Sequence, residues 1–258
     1  MKRVLAAGKG LLLTLGMFTV LPLPYLEWDE EATGWMLPWM PFAGLAIGAL
    51  WAGAGWLLGL CALPPLLYGA VLALTPMVLS GGLHLDGFLD CADALLSRRD
   101  LPERLRILKD SHVGAFGVVA FGMLLVLYVC AGGSLAEHPP VGLEWLLLAA
   151  IPVLSRTAVA WFILRLPALS PTGYLAMLKQ KPHPVAAVLL PGLALTVVLA
   201  AVICWGAVAA WATGVVLVSA AAVALLLNHQ FGGFSGDLCG CTITVAELCG
   251  LLALVCCQ

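Results

Sequence analysis

Charge is what this sequence has least of. Asp, Glu, Lys and Arg make up 10% of its 258 residues, where an ordinary soluble domain carries about 25%. The chain is 62% hydrophobic, with a mean hydropathy of +1.06. A soluble core of this length needs a far more polar surface, so the soluble classes are excluded and a polytopic membrane protein is expected. The net charge of −2 says little and the placement of charge says more; nucleic acid is not expected as a partner. Zinc-type cysteine spacing is missing too. Nine cysteines are present, but neither Cys239-x-Cys241 nor Cys256-Cys257 has metal-site spacing, so they are read as small apolar fillers. The N-terminus MKRVLAAGKGLLLTLGMFTVLPLPY imitates a signal peptide but lacks a small-x-small cleavage site, so it is expected to stay attached. Internal repeats, low-complexity tracts and polar blocks are absent, and one integral membrane catalytic domain is expected over 1–258.

What is there is a series of apolar runs. Those long enough to span a bilayer fall at about 35–60, 66–85, 114–133, 143–165, 185–204, 207–227 and 238–257. The expected fold is therefore all-α: a membrane helix bundle of about seven spans. Residues 4–21, with Lys9 among them, are read as an additional interfacial or re-entrant helix. The basic residues set the orientation. Lys2, Arg3 and Lys9 open the chain; Arg98, Arg99, Arg104, Arg106 and Lys109 share one loop; Arg165, Lys179 and Lys181 flank another. The connections 61–65, 134–142 and 205–206 hold no Lys or Arg and are expected outside. "HLDGFLDCADALLSRRD", "LKDSHVGAFG", the Arg165–Lys181 loop and "NHQFGGFSGD" then converge on the cytoplasmic side.

The most unusual stretch is "SGGLHLDGFLDCADAL", read as the cytoplasmic end of the second span. Asp86, Asp90 and Asp93 are spaced i, i+4, i+7 and share one helical face within roughly 60°. Like charges at that spacing repel, and each carboxylate near a bilayer is costly. A hard divalent cation removes both problems. Mg²⁺ takes oxygen ligands and is often shared between carboxylates and substrate phosphates. The bland alternative is pairing with Arg98, Arg99 or Arg104 in a solvated loop. His84 lies about 160° from Asp86 on the wheel and reads as a packing or hydrogen-bonding residue, with substrate contact as its functional alternative. Gly81, Gly82 and Gly87 read as sites of close helix approach or a flexible helix start.

Other candidates follow downstream. "LPERLRILKDSHVGAFG" starts as a basic amphipathic helix, suited to anionic lipid or to phosphate through groups such as Lys109. Asp110 reads either as a helix cap or as a further carboxylate beside Ser111. "FGGFSGDLCG" offers backbone N–H groups near a helix start, with Gly232, Gly233, Ser235 and Gly236 as a phosphate cradle and Asp237 as a metal carboxylate. Glu247, deep in the last span, reads as a metal ligand or as a hydrogen-bonded structural acid. Arg156 needs an anionic partner, either substrate phosphate or an ion pair with Glu247 or an aspartate.

These pieces, in this order, resemble the cobalamin synthase family, also called adenosylcobinamide-GDP ribazoletransferase. "GGLHLDGFLDCADAL" followed by "ILKDSHVGAFGV" is the specific part; "FTVLPLP", "PFAGLAIGAL", "LSRTA" and "GGFSGDLCG…AEL" extend the likeness over essentially the whole chain. The family pattern is not matched at Val20, Ala94, His112 and Thr244, and it is kept at the three aspartates. The resemblance implies a bacterial inner-membrane enzyme with a cytoplasm-facing site that joins adenosylcobinamide-GDP to α-ribazole, or its 5′-phosphate, and releases GMP. It also implies Mg²⁺, and it leaves the oligomeric state open, a homo-oligomer included.

The expected mechanism is phosphoryl transfer by positioning and charge neutralisation. Asp86, Asp90, Asp93 and Asp237 would hold Mg²⁺, with Glu247 as a further candidate. Ser111, Arg156 and the Gly232–Gly236 turn would orient phosphates, and Asp93 or Asp110 would take the hydroxyl proton. Three rivals use the same residues. A CDP-alcohol phosphotransferase shares the aspartate signature but would need Ala-Arg after Asp-Gly-x-x. A membrane prenyltransferase would need a second aspartate-rich helix. A cation-coupled transporter would spread polar residues through several spans, whereas here they gather on one side.

Overall fold

Continuous apolar runs in a lipid environment must satisfy their backbone internally, and the chain does so with helices. The computed structural model describes residues 2–256; Cys257 and the side chains of Lys2 and Arg3 lie outside the described residues. In order, the helices are α1 (Lys2–Phe18), α2 (Glu30–Gly34), α3 (Met36–Leu60), α4 (Pro65–Leu79), α5 (Leu83–Leu96), α6 (Leu101–Ile107), α7 (Ala115–Glu137), α8 (Trp145–Arg165), α9 (Tyr174–Gln180), α10 (Ala186–Phe231) and α11 (Gly236–Val255). Among the described residues there is no strand, only one bridge between Ala168 and Phe234. The all-α expectation holds.

Five helices are long and apolar enough to cross a membrane, six if α4 and α5 count as one broken span. The expected seven is reached only by counting α10 twice. At 46 residues it covers both expected spans 185–204 and 207–227, and it breaks at Gly206, where φ is 64° and ψ −138°. Only glycine adopts that conformation without strain. Leu190, Pro191 and Ala194 before the break and Leu217 and Ala221 after it line one groove, so the two halves lie side by side.

One correction concerns the aspartate stretch, which does not continue straight from the second span. Gly81 and Gly82, with φ of 63° and 75°, end α4, and α5 leaves at 96°. The two glycines mark a break in the sequence, but not the angle at which the chain leaves it.

Helix packing in lipid depends on small residues that let backbones meet. Gly44 and Gly48 of α3 lie against Pro152 and Ala149 of α8, and Gly69 of α4 against Gly132 of α7. The core divides along the bundle axis. One cluster joins Cys91, Ala94, Phe231, Phe234 and Leu238 near the aspartate helix; the other joins Trp51, Tyr68, Tyr128 and Leu251 beyond it. α1 lies across the start of α3, where Trp39 Nε1 donates to the Ala7 carbonyl at 2.9 Å. Lys9 pairs with Asp29, and that ammonium holds the Asp29 carboxyl below its ordinary range.

Candidate functional site at the aspartate helix

The loops at one end of the bundle are tied together by backbone hydrogen bonds. Val20 N–H donates to Leu79 O at 2.9 Å, and His183 N–H to Gly34 O at 2.8 Å. Leu169 N–H donates to Phe234 O and Phe234 N–H to Pro167 O, both at 2.8 Å. Arg104 Nη1 reaches Gln230 Oε1 at 2.7 Å, with its guanidinium over the Phe231 ring. The four motifs expected on one side therefore meet there. Nothing local in the sequence marks Gln230 or Pro167 as the partners that close this end.

At its centre α5 crosses α11. Gly87 meets the Asp237 backbone, and Gly240 meets the backbone of His84, where a side chain would not fit. Thr244 Oγ1 donates to the His84 carbonyl at 3.1 Å. The crossing sets Asp86, Asp90 and Asp237 in one another's electrostatic field. Asp86 is exposed, and Asp90 and Asp237 are half-buried. None of the three has a Lys, Arg or His ion-pair partner among the described residues. The alternative pairing with Arg98, Arg99 or Arg104 is not formed.

The third aspartate is used differently. Asp93 is 8% exposed, and both its oxygens accept backbone N–H groups at the start of α7: Gly114 at 2.7 Å and Gly117 at 2.9 Å. It is the cap that α7 lacks locally, since Gly114 at the N-cap position offers no side chain. Asp93 thus shares the wheel position of Asp86 without sharing its surroundings. Asp110 does not cap α7. Its carboxylate accepts from the His112 backbone at 3.0 Å and meets the His112 ring at 2.8 Å, a contact that holds the Asp110 carboxyl below its usual range. Lys109 and Ser111 are exposed in the same loop.

The remaining candidates divide. Ser235 caps α11, accepting from Leu238 N–H at 3.3 Å and donating to Asp237 Oδ2 at 3.4 Å. The Gly232 amide is spent on Asn228 O, which removes it from the expected cradle, and Gly233 is pressed against Leu169. His84 is buried and stacks on Phe18 with ring centroids 6.0 Å apart, the packing role. Arg156 and Glu247 are 1% and 4% exposed and form an ion pair. Ser155 Oγ is 3.1 Å from both Glu247 Oε1 and Arg156 Nη1. Glu247 is thus given to Arg156, and neither joins the aspartates.

Among the described residues no three His, Cys, Asp or Glu side chains converge into a ready-made metal shell. A hexahydrated cation such as Mg²⁺ does not need one, because it keeps several waters and takes one or two carboxylates plus substrate phosphate. The donor set fits it: Asp86, Asp90 and Asp237 are oxygen donors that repel one another and, among the described residues, pair with no Lys, Arg or His.

Residues 10–255 match the family model described as cobalamin-5-phosphate synthase. Curated relatives carry the name adenosylcobinamide-GDP ribazoletransferase. One from Clostridium botulinum is 33% identical over 95% of this chain and 96% of its own length. One from Clostridium perfringens is 35% identical over 95% and 97%, and one from Geobacillus thermodenitrificans is 36% identical over 92% of each. No solved structure matches the chain.

Proposed function

The chain belongs to the cobalamin-5-phosphate synthase family, and from that premise we propose how its residues perform the transfer. It is an adenosylcobinamide-GDP ribazoletransferase acting in nucleotide loop assembly of cobalamin. The hydroxyl of α-ribazole, or of its 5′-phosphate, attacks the phosphate borne by cobinamide, and GMP leaves. Asp86, Asp90 and Asp237 would hold Mg²⁺. When bound, the ion neutralises charge on the diphosphate and on the departing GMP. The three carboxylates fix where the diphosphate sits, and the α5–α11 crossing fixes the carboxylates. Asp110 takes the hydroxyl proton: Asp93 has spent both oxygens on α7, whereas Asp110 is open to solvent and ionised at neutral pH. Lys109 and Ser111 orient phosphate from the same loop. Positive residues at this end favour a cytoplasmic site in the inner membrane.

The observation that supports this reading is that Asp86, Asp90 and Asp237 lie in one another's electrostatic field with no Lys, Arg or His ion-pair partner among the described residues. The test is GMP release from adenosylcobinamide-GDP and α-ribazole by the purified protein. Release should stop with EDTA and return with Mg²⁺. Asp90→Asn should lose at least about 100-fold in kcat, the scale of removing a main electrostatic group, while inserting and purifying normally. Near-normal release by Asp90→Asn would overturn the metal assignment. Cation flux in proteoliposomes without substrate would favour the transporter instead.

A further inference from the structure

A cavity of about 170 Å³ opens between the chain before α3 and the chain after α8. Trp28, Glu30, Thr33, Met177, Gln180 and Lys181 are among its lining residues. It is a built feature. Gly34 lies where a Cβ would stand 2.7 Å from Lys181 O, and this close approach lets His183 N–H reach Gly34 O at 2.8 Å. Lys181 pairs with Glu30 across the mouth at 2.5 Å. Trp28 is 42% exposed and is braced by Tyr174, with centroids 5.7 Å apart and planes at 80°. Tyr174 meets Phe18 at 6.4 Å, and Phe18 stacks on His84 of α5. Three ring contacts therefore join the cavity to the first turn of the aspartate helix.

We propose that this cavity binds the guanine base of the nucleotide donor and sets its specificity. The proposal rests on the transferase reading and adds the subsite. A flat heteroaromatic ring fits against a braced indole. The polar lining chooses among bases. Asp29 is occupied, accepting from Ala32 N–H through Oδ1 and from Lys9 through Oδ2. Glu30 uses only Oε2, on Lys181, and a carboxylate has about four acceptor positions. Guanine presents N1–H and an exocyclic amine side by side, a donor pair that a carboxylate accepts. Adenine presents an acceptor at N1, and the benzimidazole of the other substrate has no donor edge. A corrin ring is far larger than the cavity. Gln180 adds an amide beside the same wall.

The test uses the full chain in nanodiscs and equilibrium dialysis with GMP, IMP and AMP. GMP should bind at least about 10-fold tighter than AMP, with IMP between them, because a site built for donors is left unpaired by a base lacking them. Glu30→Gln should remove most of the preference for GMP over AMP. Trp28→Ala should weaken all three. In the transfer assay both variants should raise KM for adenosylcobinamide-GDP about 10-fold, with kcat within about twofold and KM for α-ribazole unchanged. The Glu30–Lys181 pair is exposed, so folding does not depend on it. Equal affinity for GMP and AMP in the wild type, or unchanged GMP binding in both variants, would overturn the subsite. If the wild type releases GMP and the variants bind as it does, the subsite alone falls. If the wild type releases none yet binds GMP through Glu30, the subsite stands and the transferase reading falls.

Discussion

Arg156 and Glu247 show how much a partner decides. Each is an intramembrane charge, and such groups face the bundle interior and pair. α8 and α11 are the two most buried spans, and the pair sits between them with Ser155. Breaking a buried pair leaves an uncompensated charge and costs about 3–5 kcal/mol, whereas replacing both members by apolar residues is often neutral. Glu247→Gln should therefore lower the melting temperature in detergent strongly, and Arg156→Met combined with Glu247→Leu should recover most of the loss. The Mg²⁺ concentration needed for GMP release should be the same in the double variant as in the wild type. A variant Glu247→Gln that melts normally but needs more Mg²⁺ would return Glu247 to the metal.

At the scale of elements, the aspartate helix is a junction. Asp86 is exposed and Asp90 half-buried, while Asp93, two turns after Asp86, docks the KDSHVG loop by capping α7. Gly114 and Gly117 are needed because a side chain at either would collide with that carboxylate. Asp93→Asn keeps the shape but makes one end of the side chain a donor, so one amide loses its acceptor. A lost cap costs about 0.5–2 kcal/mol. Hydrogen exchange over residues 110–118 should speed up by about 2- to 30-fold, the factor this energy implies, and Gly114→Ala should produce the same local signature. Unchanged exchange in Asp93→Asn would remove the docking role. The repeating aspartate pattern was legible in the sequence; the division of labour within it was not, because the amides that claim Asp93 lie 21 and 24 residues away.

The whole molecule is polar in one sense: its aspartate helix and basic loops are at one end, and connections without Lys or Arg are at the other. Cys61, exposed in the turn after α3, belongs to the end without Lys or Arg, and the positive-inside rule puts it outside. In a variant retaining Cys61 as its sole cysteine, a membrane-impermeant maleimide should label it in intact spheroplasts. Labelling only after lysis would invert the orientation and the cytoplasmic site with it. Membrane class, the all-helical fold and the family could be read from the sequence, since composition and contiguous motifs carry them and neither needs a distant partner. The α10 reversal could be read as well, since it falls at Gly206 within the expected connection 205–206. Tertiary structure alone decided two things. The 96° angle between α4 and α5 is one, because Gly81 and Gly82 mark a break without setting its direction. The cavity beside Trp28 is the other: it is made by segments about 150 residues apart that meet through a backbone hydrogen bond, an exposed ion pair and ring contacts. Local sequence sets which residues can form helices and carry charge; which of those charges share a site depends on helix crossings, and those exist only once the bundle is packed.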